Sequence, residues 1–172
     1  MYGNVLASLE LSAPYHTWVS NLTYVATDEG FLYVSLISVA WSRRIVGYEG
    51  SHTLAASGSL KALQMARKQL PKDAGTVHHS DRGIQYACRA YVKTLQRRGL
   101  RVSMTEENHC YENAQAERLN GILKQVYGLA GRYRTRAEAV KVLRQAVELY
   151  NTRRPPISLG YRTPETVHGA VA

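Results

Sequence analysis

The sequence predicts an α/β protein: a mixed sheet of five strands, three antiparallel and then two parallel, with helices on both faces. Three observations predict it. β-branched and aromatic residues crowd three closely spaced segments between Thr17 and Tyr48, with turn-forming residues between them. Two further short strand-like segments, 76–79 and 100–104, are separated by helical stretches, as in strands joined by crossover helices. A length of 172 residues with 45% hydrophobic and 20% charged residues is an ordinary globular mix that fits one domain.

Residues 1–16 form a mixed lead-in segment. Trp18, Val19, Leu22, Tyr24 and Val25 mark the first strand. Thr27-Asp28-Glu29-Gly30 is a turn signature, and 31–39 reads as the second strand. Ile45 to Tyr48 is a short third strand. Over 54–70 the alternation gives way to Leu60, Leu63, Ala66 and Leu70, one apolar helical face stopped by Pro71 and Gly75. Thr76 to His79 is the fourth strand, leading to Ser80-Asp81. Residues 84–98 read as one helix with Gly99 as its C-cap. Leu100 to Met104 is the fifth strand. Residues 112–126 and 136–150 are helical, the second carrying Ala139, Val142, Leu143, Ala146, Val147 and Tyr150. The core is expected over 17–150. The 151–172 tail holds three of the five prolines and reads as loop. This is the ribonuclease H-like order of elements.

Composition narrows the function. No run of about 18 apolar residues spans a membrane, and the start Met1-Tyr2-Gly3-Asn4 lacks the basic and apolar regions of a signal peptide. Cys88 and Cys110 are not a C-x-x-C pair, which argues against a zinc ribbon or a disulfide scaffold. Two free thiols fit a cytosolic protein. The net charge is +9, and it is lopsided. Residues 1–81 carry six basic and six acidic residues, and residues 82–172 carry sixteen and seven. A phosphate backbone as partner accounts for this; a solvated basic face is the plain alternative.

Only 13 residues are acidic. Asp28, Glu29 and Asp73 sit in turns or loops, where solvated or turn roles suffice. Asp81 follows the fourth strand, where α/β sheets place ligands, although an N-cap role for the next helix competes. Glu117 shares a helix face with Asn113, Asn120 and Lys124, spaced four, three and four apart. An exposed, ion-paired helix has the same look. Thirty-five residues lie between Asp81 and Glu117, the spacing of retroviral-type integrase cores. His78 and His79 adjoin Asp81, but with no second His/Cys pair nearby they read as strand-packing or hydrogen-bonding residues.

Six blocks in register carry a family resemblance. They are Trp18-Val19-Ser20-Asn21-Leu22-Thr23-Tyr24; Glu29-Gly30-Phe31-Leu32-Tyr33; Ser42-Arg43-Arg44-Ile45-Val46-Gly47; His79-Ser80-Asp81-Arg82-Gly83-Ile84-Gln85-Tyr86; the stretch from Glu106 through Lys124; and Tyr150-Asn151-Thr152-Arg153-Arg154-Pro155 followed by Leu159-Gly160-Tyr161-Arg162-Thr163-Pro164-Glu165. The chain resembles the catalytic core of bacterial insertion-sequence transposases of the DDE class, related to retroviral integrases. The match runs from about residue 17 to 168 and excludes the upstream helix-turn-helix region such transposases carry. That region is expected as a missing segment or a separate subunit.

The resemblance implies a nucleotidyl transferase that cleaves DNA phosphodiesters and transfers strands. It makes Asp81 the second catalytic acid and Glu117 the third, with Mg²⁺ or Mn²⁺ at a two-metal site, since oxygen ligands suit these ions. The first acid belongs at position 21, which is Asn21. A neutral amide oxygen stands there instead of a carboxylate, so weak metal binding and impaired strand transfer are expected. Neither neighbouring acid substitutes. Asp28 lies about 23 Å along an extended strand, and Glu112 lies about 500° around the helix from Glu117. Val39, Val126 and Pro156 also depart from the family pattern, standing for Asp, Glu and His.

Arg82, Asn113, Asn120, Lys124, Arg153 and Arg154 are the expected nucleic-acid contacts, with Arg97-Arg98 and the arginines at 132, 134 and 136 alongside. A homodimer and a bacterial cytoplasmic, nucleoid-associated location are expected with them. A transposase-derived module that binds nucleic acid or protein without catalysis is the alternative. A ribonuclease H-type nuclease fits less well, because it too needs a carboxylate at 21.

Overall fold

A computed structural model describes residues 15–71, 74–105, 114–153 and 159–170. Strands β1 (Thr17–Thr27), β2 (Gly30–Val39) and β3 (Ile45–Ser51) come first, followed by helix α1 (Ala56–Arg67) and strand β4 (Val77–Ser80). Helices α2 (Ile84–Ala87) and α3 (Arg89–Gln96) lead to β5 (Arg101–Met104). Helix α4 (Ala114–Val126), the two-residue strand β6 (Arg132–Tyr133), α5 (Arg136–Arg153) and α6 (Pro164–Gly169) complete the order.

The sheet runs β3-β2-β1-β4-β5, with β6 beside the end of β1. The β1–β2 and β2–β3 pairs are antiparallel, and β1–β4 and β4–β5 are parallel. The five expected strands and their directions are therefore present. β6 is an addition, too short to leave a periodic signal.

Both faces of the sheet are covered, which is why β2 reads as a nearly continuous apolar run. Its residues alternate between two cores. Ile37 and Val39 join Trp18, Val46, Ala62, Leu63, Ala66, Tyr86, Tyr91 and Leu95 under α1, α2 and α3. Leu32, Val34 and Leu36 join Val25, Ile45 and the buried side chains of α4 and α5. A hairpin turn sets this register. Gly30 has φ +101°, which glycine adopts without steric cost, and Thr27 Oγ1 accepts from Glu29 N–H at 3.2 Å. α1 lies so close to β3 that a Cβ on Gly47 would sit 2.3 Å from the Ala62 carbonyl oxygen.

Two sequence expectations change. The helix expected over 84–98 breaks at Cys88, whose backbone is extended (φ −66°, ψ 145°). Tyr86 and Tyr91 explain the break. Five residues apart, they would point roughly 140° from each other on one helix, yet both are buried in the same core with ring centroids 5.3 Å apart. The tail read as loop contains α6. Thr163 caps it by accepting from Thr166 N–H at 3.2 Å, and Pro164 opens the first turn, where a proline suits a helix. α5 also continues three residues past 150.

Candidate metal and nucleic-acid site

β1 and β4 run parallel with Ser20 opposite Ser80. Asn21 and Asp81 are the next residue on each chain, so they leave the pair side by side. Neighbouring strands lie about 4.8 Å apart, and residues in register share a face. That face is the one α4 covers: Val19, two residues before Asn21, packs against Ala40 and Ala116. Ala116 immediately precedes Glu117. Gln115 anchors the same turn of the helix by donating Nε2–H to the Ala40 carbonyl at 3.2 Å.

Asn21 is 9% exposed, and its Oδ1 accepts from the Leu22 N–H at 2.7 Å. Asp81 is half-buried, and its Oδ1 accepts from the Gly83 N–H at 2.9 Å. This is an Asx turn. It stands in place of the competing N-cap role: Gly83 itself caps α2, with no side-chain cap hydrogen bond. Glu117 is exposed in the first turn of α4. Asn120, one turn on, has a buried Oδ1 with no hydrogen-bond partner among the described residues.

The histidines beside Asp81 are tied into the sheet. His78 is buried, with Nε2 2.6 Å from Ser20 Oγ and 3.0 Å from the Tyr91 hydroxyl. Burial foremost, and then the neighbouring His79, push its pKa down to about 3, so it is neutral at ordinary pH. His79 Nδ1 lies 2.9 Å from Ser103 Oγ on β5. Both have the hydrogen-bonding role expected from sequence. Asp28 lies in the β1–β2 turn and pairs with Arg132 at 2.7 Å.

The donor set bears on the implied metals. Two carboxylates and a neutral amide oxygen fit one oxygen-ligated divalent cation; a pair of such ions, carrying four positive charges, lacks its third carboxylate. Among the described residues, no group of three His, Cys, Asp or Glu side chains is placed to hold a metal.

Of the expected nucleic-acid contacts, Asn113 and Arg154 lie outside the described residues. Arg82 Nε donates to the Thr105 carbonyl at 2.6 Å, which ties its side chain to the end of β5. Lys124 places Nζ 4.6 Å from the centre of the Tyr24 ring. Arg153 is exposed at the end of α5. Sequence reasoning did not single out Arg43 as a site residue. It adopts φ +64°, unusual for a residue with a side chain. Burial lowers its pKa; Tyr150 raises it and Arg118 lowers it further. The backbone strain leaves no mark in the sequence beyond the Ser42-Arg43-Arg44 block itself.

Comparison with known proteins gives one consistent answer. The family described as Integrase core domain matches residues 12–110, and a second family of the same description matches 98–164. The chain is 38% identical over 154 residues to the insertion element IS600 uncharacterized 31 kDa protein of Shigella sonnei, covering 89% of this chain and 57% of that one. It is 36% identical over 151 residues to the transposase for insertion sequence element IS629 of Shigella sonnei, covering 88% and 51%. The chain thus spans about half the length of these curated relatives. Among solved structures, the HTLV-2 integrase catalytic core domain in complex with magnesium superposes with a TM-score of 0.71 at 14% identity, covering 91% of this chain and 98% of that one. The simian T-cell lymphotropic virus intasome in complex with PP2A regulatory subunit B56 gamma gives 0.77 at 16%, covering 98% and 58%. The fold is ribonuclease H-like.

Proposed function

The chain belongs to the integrase core family, and from that premise we propose that it is the catalytic core of an insertion-sequence transposase with an impaired metal site. The observation that carries this is that Asn21 and Asp81 each directly follow the last paired residues of the parallel strands β1 and β4, Ser20 and Ser80, on the face that α4 covers. Asp81 and Glu117 are the anionic ligands in this reading, and Asn21 contributes a neutral oxygen. A bound Mg²⁺ or Mn²⁺ supplies Lewis acidity toward a DNA phosphodiester. The chain's own residues do the rest. The Asx turn holds one oxygen of Asp81 and so limits how the carboxylate turns. α4 presents Glu117, Asn120 and Lys124 along one side. Arg82, Asn113, Arg153 and Arg154 add phosphate contacts, which give affinity and little sequence choice.

DNA is the partner in this reading, with pairing of two copies and a bacterial cytoplasmic, nucleoid-associated location. Among the described residues, no helix is long and apolar enough to cross a membrane. An N-terminal helix-turn-helix region or subunit completes the picture.

The test compares the chain with its Asn21→Asp variant in strand transfer with Mg²⁺ or Mn²⁺, and in calorimetric titration of the metal alone. The variant is expected to bind the ion at least about tenfold more tightly, as a restored charge-assisted contact warrants, and to gain activity. Equal, robust activity of the two refutes the metal-site reading. A second reading is a non-catalytic binding module, which Asn21 itself favours. Salt-dependent DNA binding with no turnover, even in Asn21→Asp, selects it.

A further inference from the structure

Three aromatic side chains meet at the far end of the β1–β2 hairpin. Tyr24 is 54% exposed and Phe31 48%, and Tyr33 is half-buried. Their rings run in a chain, edge to face, with centroids 5.0 Å apart for Tyr24 and Phe31 and 6.4 Å for Phe31 and Tyr33. Tyr24 pairs with Tyr33 across the strands and Phe31 with Ala26, so all three stand on one face of the sheet. A contiguous exposed patch of this kind marks a recognition surface.

Its border indicates the partner. Lys124 Nζ lies 4.6 Å from the Tyr24 ring centre. Arg136 Nε donates to the Phe31 carbonyl at 3.3 Å, while its backbone N–H donates to Glu29 Oε2 at 2.9 Å. Arg132, nearby on β6, is paired with Asp28. Flat rings rimmed by cations suit a strand whose bases stack while its phosphates are neutralised. Tyr24 lies three residues beyond Asn21 in β1, about 10 Å along the strand and, at that odd spacing, on the other face of the sheet. Lys124 lies seven residues beyond Glu117 in α4, about 10 Å along the helix. The open stretch of β1 between its pairings with β4 and β6 lets Lys124 reach the ring from the helix side.

We propose that Tyr24, Phe31 and Tyr33 form a stacking platform for unpaired bases of a DNA strand whose phosphates meet Lys124 and Arg136. The proposal rests on the DNA-binding reading above and adds a substrate class to it: DNA with single-stranded or frayed bases. A blunt duplex keeps its bases stacked internally and offers the rings nothing to hold.

The experiment is a fluorescence-anisotropy titration of the full chain with two labelled DNAs, a blunt duplex and the same duplex with a short single-stranded tail. Wild type is expected to prefer the tailed DNA. Tyr24→Ala and Phe31→Ala each weaken tailed binding about tenfold and leave blunt binding unchanged, which also reports that they fold. Tyr24→Phe keeps the ring and binds as wild type. Alanine variants that bind tailed DNA normally, or lose equally on both DNAs, overturn the platform alone. A wild-type chain that binds neither DNA overturns the DNA-binding reading and the platform together. Ring substitutions that abolish a protein contact and spare tailed DNA assign the patch to a protein and overturn the proposal.

Discussion

The Ser20 hydroxyl and His78 Nε2 lie 2.6 Å apart at the seam between β1 and β4, and the Tyr91 hydroxyl reaches the same nitrogen from α3. A polar group buried here is tolerated because it is hydrogen-bonded. The contact therefore ties the strand that carries Asn21 to the strand that leads into Asp81.

It also makes stability depend on pH. With His78 held down to about 3 against about 6.5 in an unfolded chain, the unfolded state binds the extra proton between those values. Stability is fully present above about 6.5 and falls as pH drops below it, by up to about 1.4 kcal/mol per pH unit. Urea unfolding at pH 7 and pH 5 measures this. The His78→Asn variant is expected to be less stable at pH 7 but to lose less between the two. Identical pH slopes for the two chains contradict the assignment.

Gly47 is where α1 rests directly on β3. An added Cβ meets the Ala62 backbone oxygen and, at 3.0 Å, the Ala66 Cβ. Backbone cannot swing aside as a side chain can, so Gly47→Ala belongs at the upper end of overpacking costs, about 3 kcal/mol. The melting temperature is expected to fall by roughly 6–12 °C. An unchanged Tm means that α1 and β3 separate at little cost.

Arg153 tests the basic half of the chain. If it meets a phosphate, Arg153→Ala lowers DNA affinity across sequences and makes the slope of log affinity against log salt shallower by about 0.9. A parallel salt line for the variant removes Arg153 from the interface.

The acidic pair is tested in the Asn21→Asp background. Asp81→Asn and Glu117→Gln are each expected to abolish the strand transfer gained there, a loss of at least about a hundredfold, because each removes an anionic ligand from one shared cation site. Either double variant retaining full activity dissociates that residue from the site.

Most of the sheet was legible because each strand carries its own signature: ring and branched residues in β1, a run buried on both faces in β2, and short segments between helices for β4 and β5. The candidate residues Asp81 and Glu117 stood out by their spacing, and Asn21 by the block around it. What escaped depends on tertiary packing. Cys88 breaks a helix because two tyrosines must reach one core. Prolines made the tail read as loop, although Pro164 behind a Thr163 cap is a helix start. The left-handed backbone at Arg43 and the clustering of Tyr24 with Phe31 arise in the two tight links of the β1–β2–β3 meander, where turn geometry and strand register decide them rather than residue type alone.

Asn151 gives α5 a second role. Its Oδ1 accepts from the Ile45 N–H at 2.9 Å and its Nδ2 donates to the Ile45 carbonyl at 3.0 Å, so one amide imitates the neighbour that the outermost strand lacks. A free sheet border is a template for aggregation with other chains. A single helical side chain thus closes that border at the start of β3, and self-association on losing it would show as concentration-dependent light scattering long before the fold itself gave way.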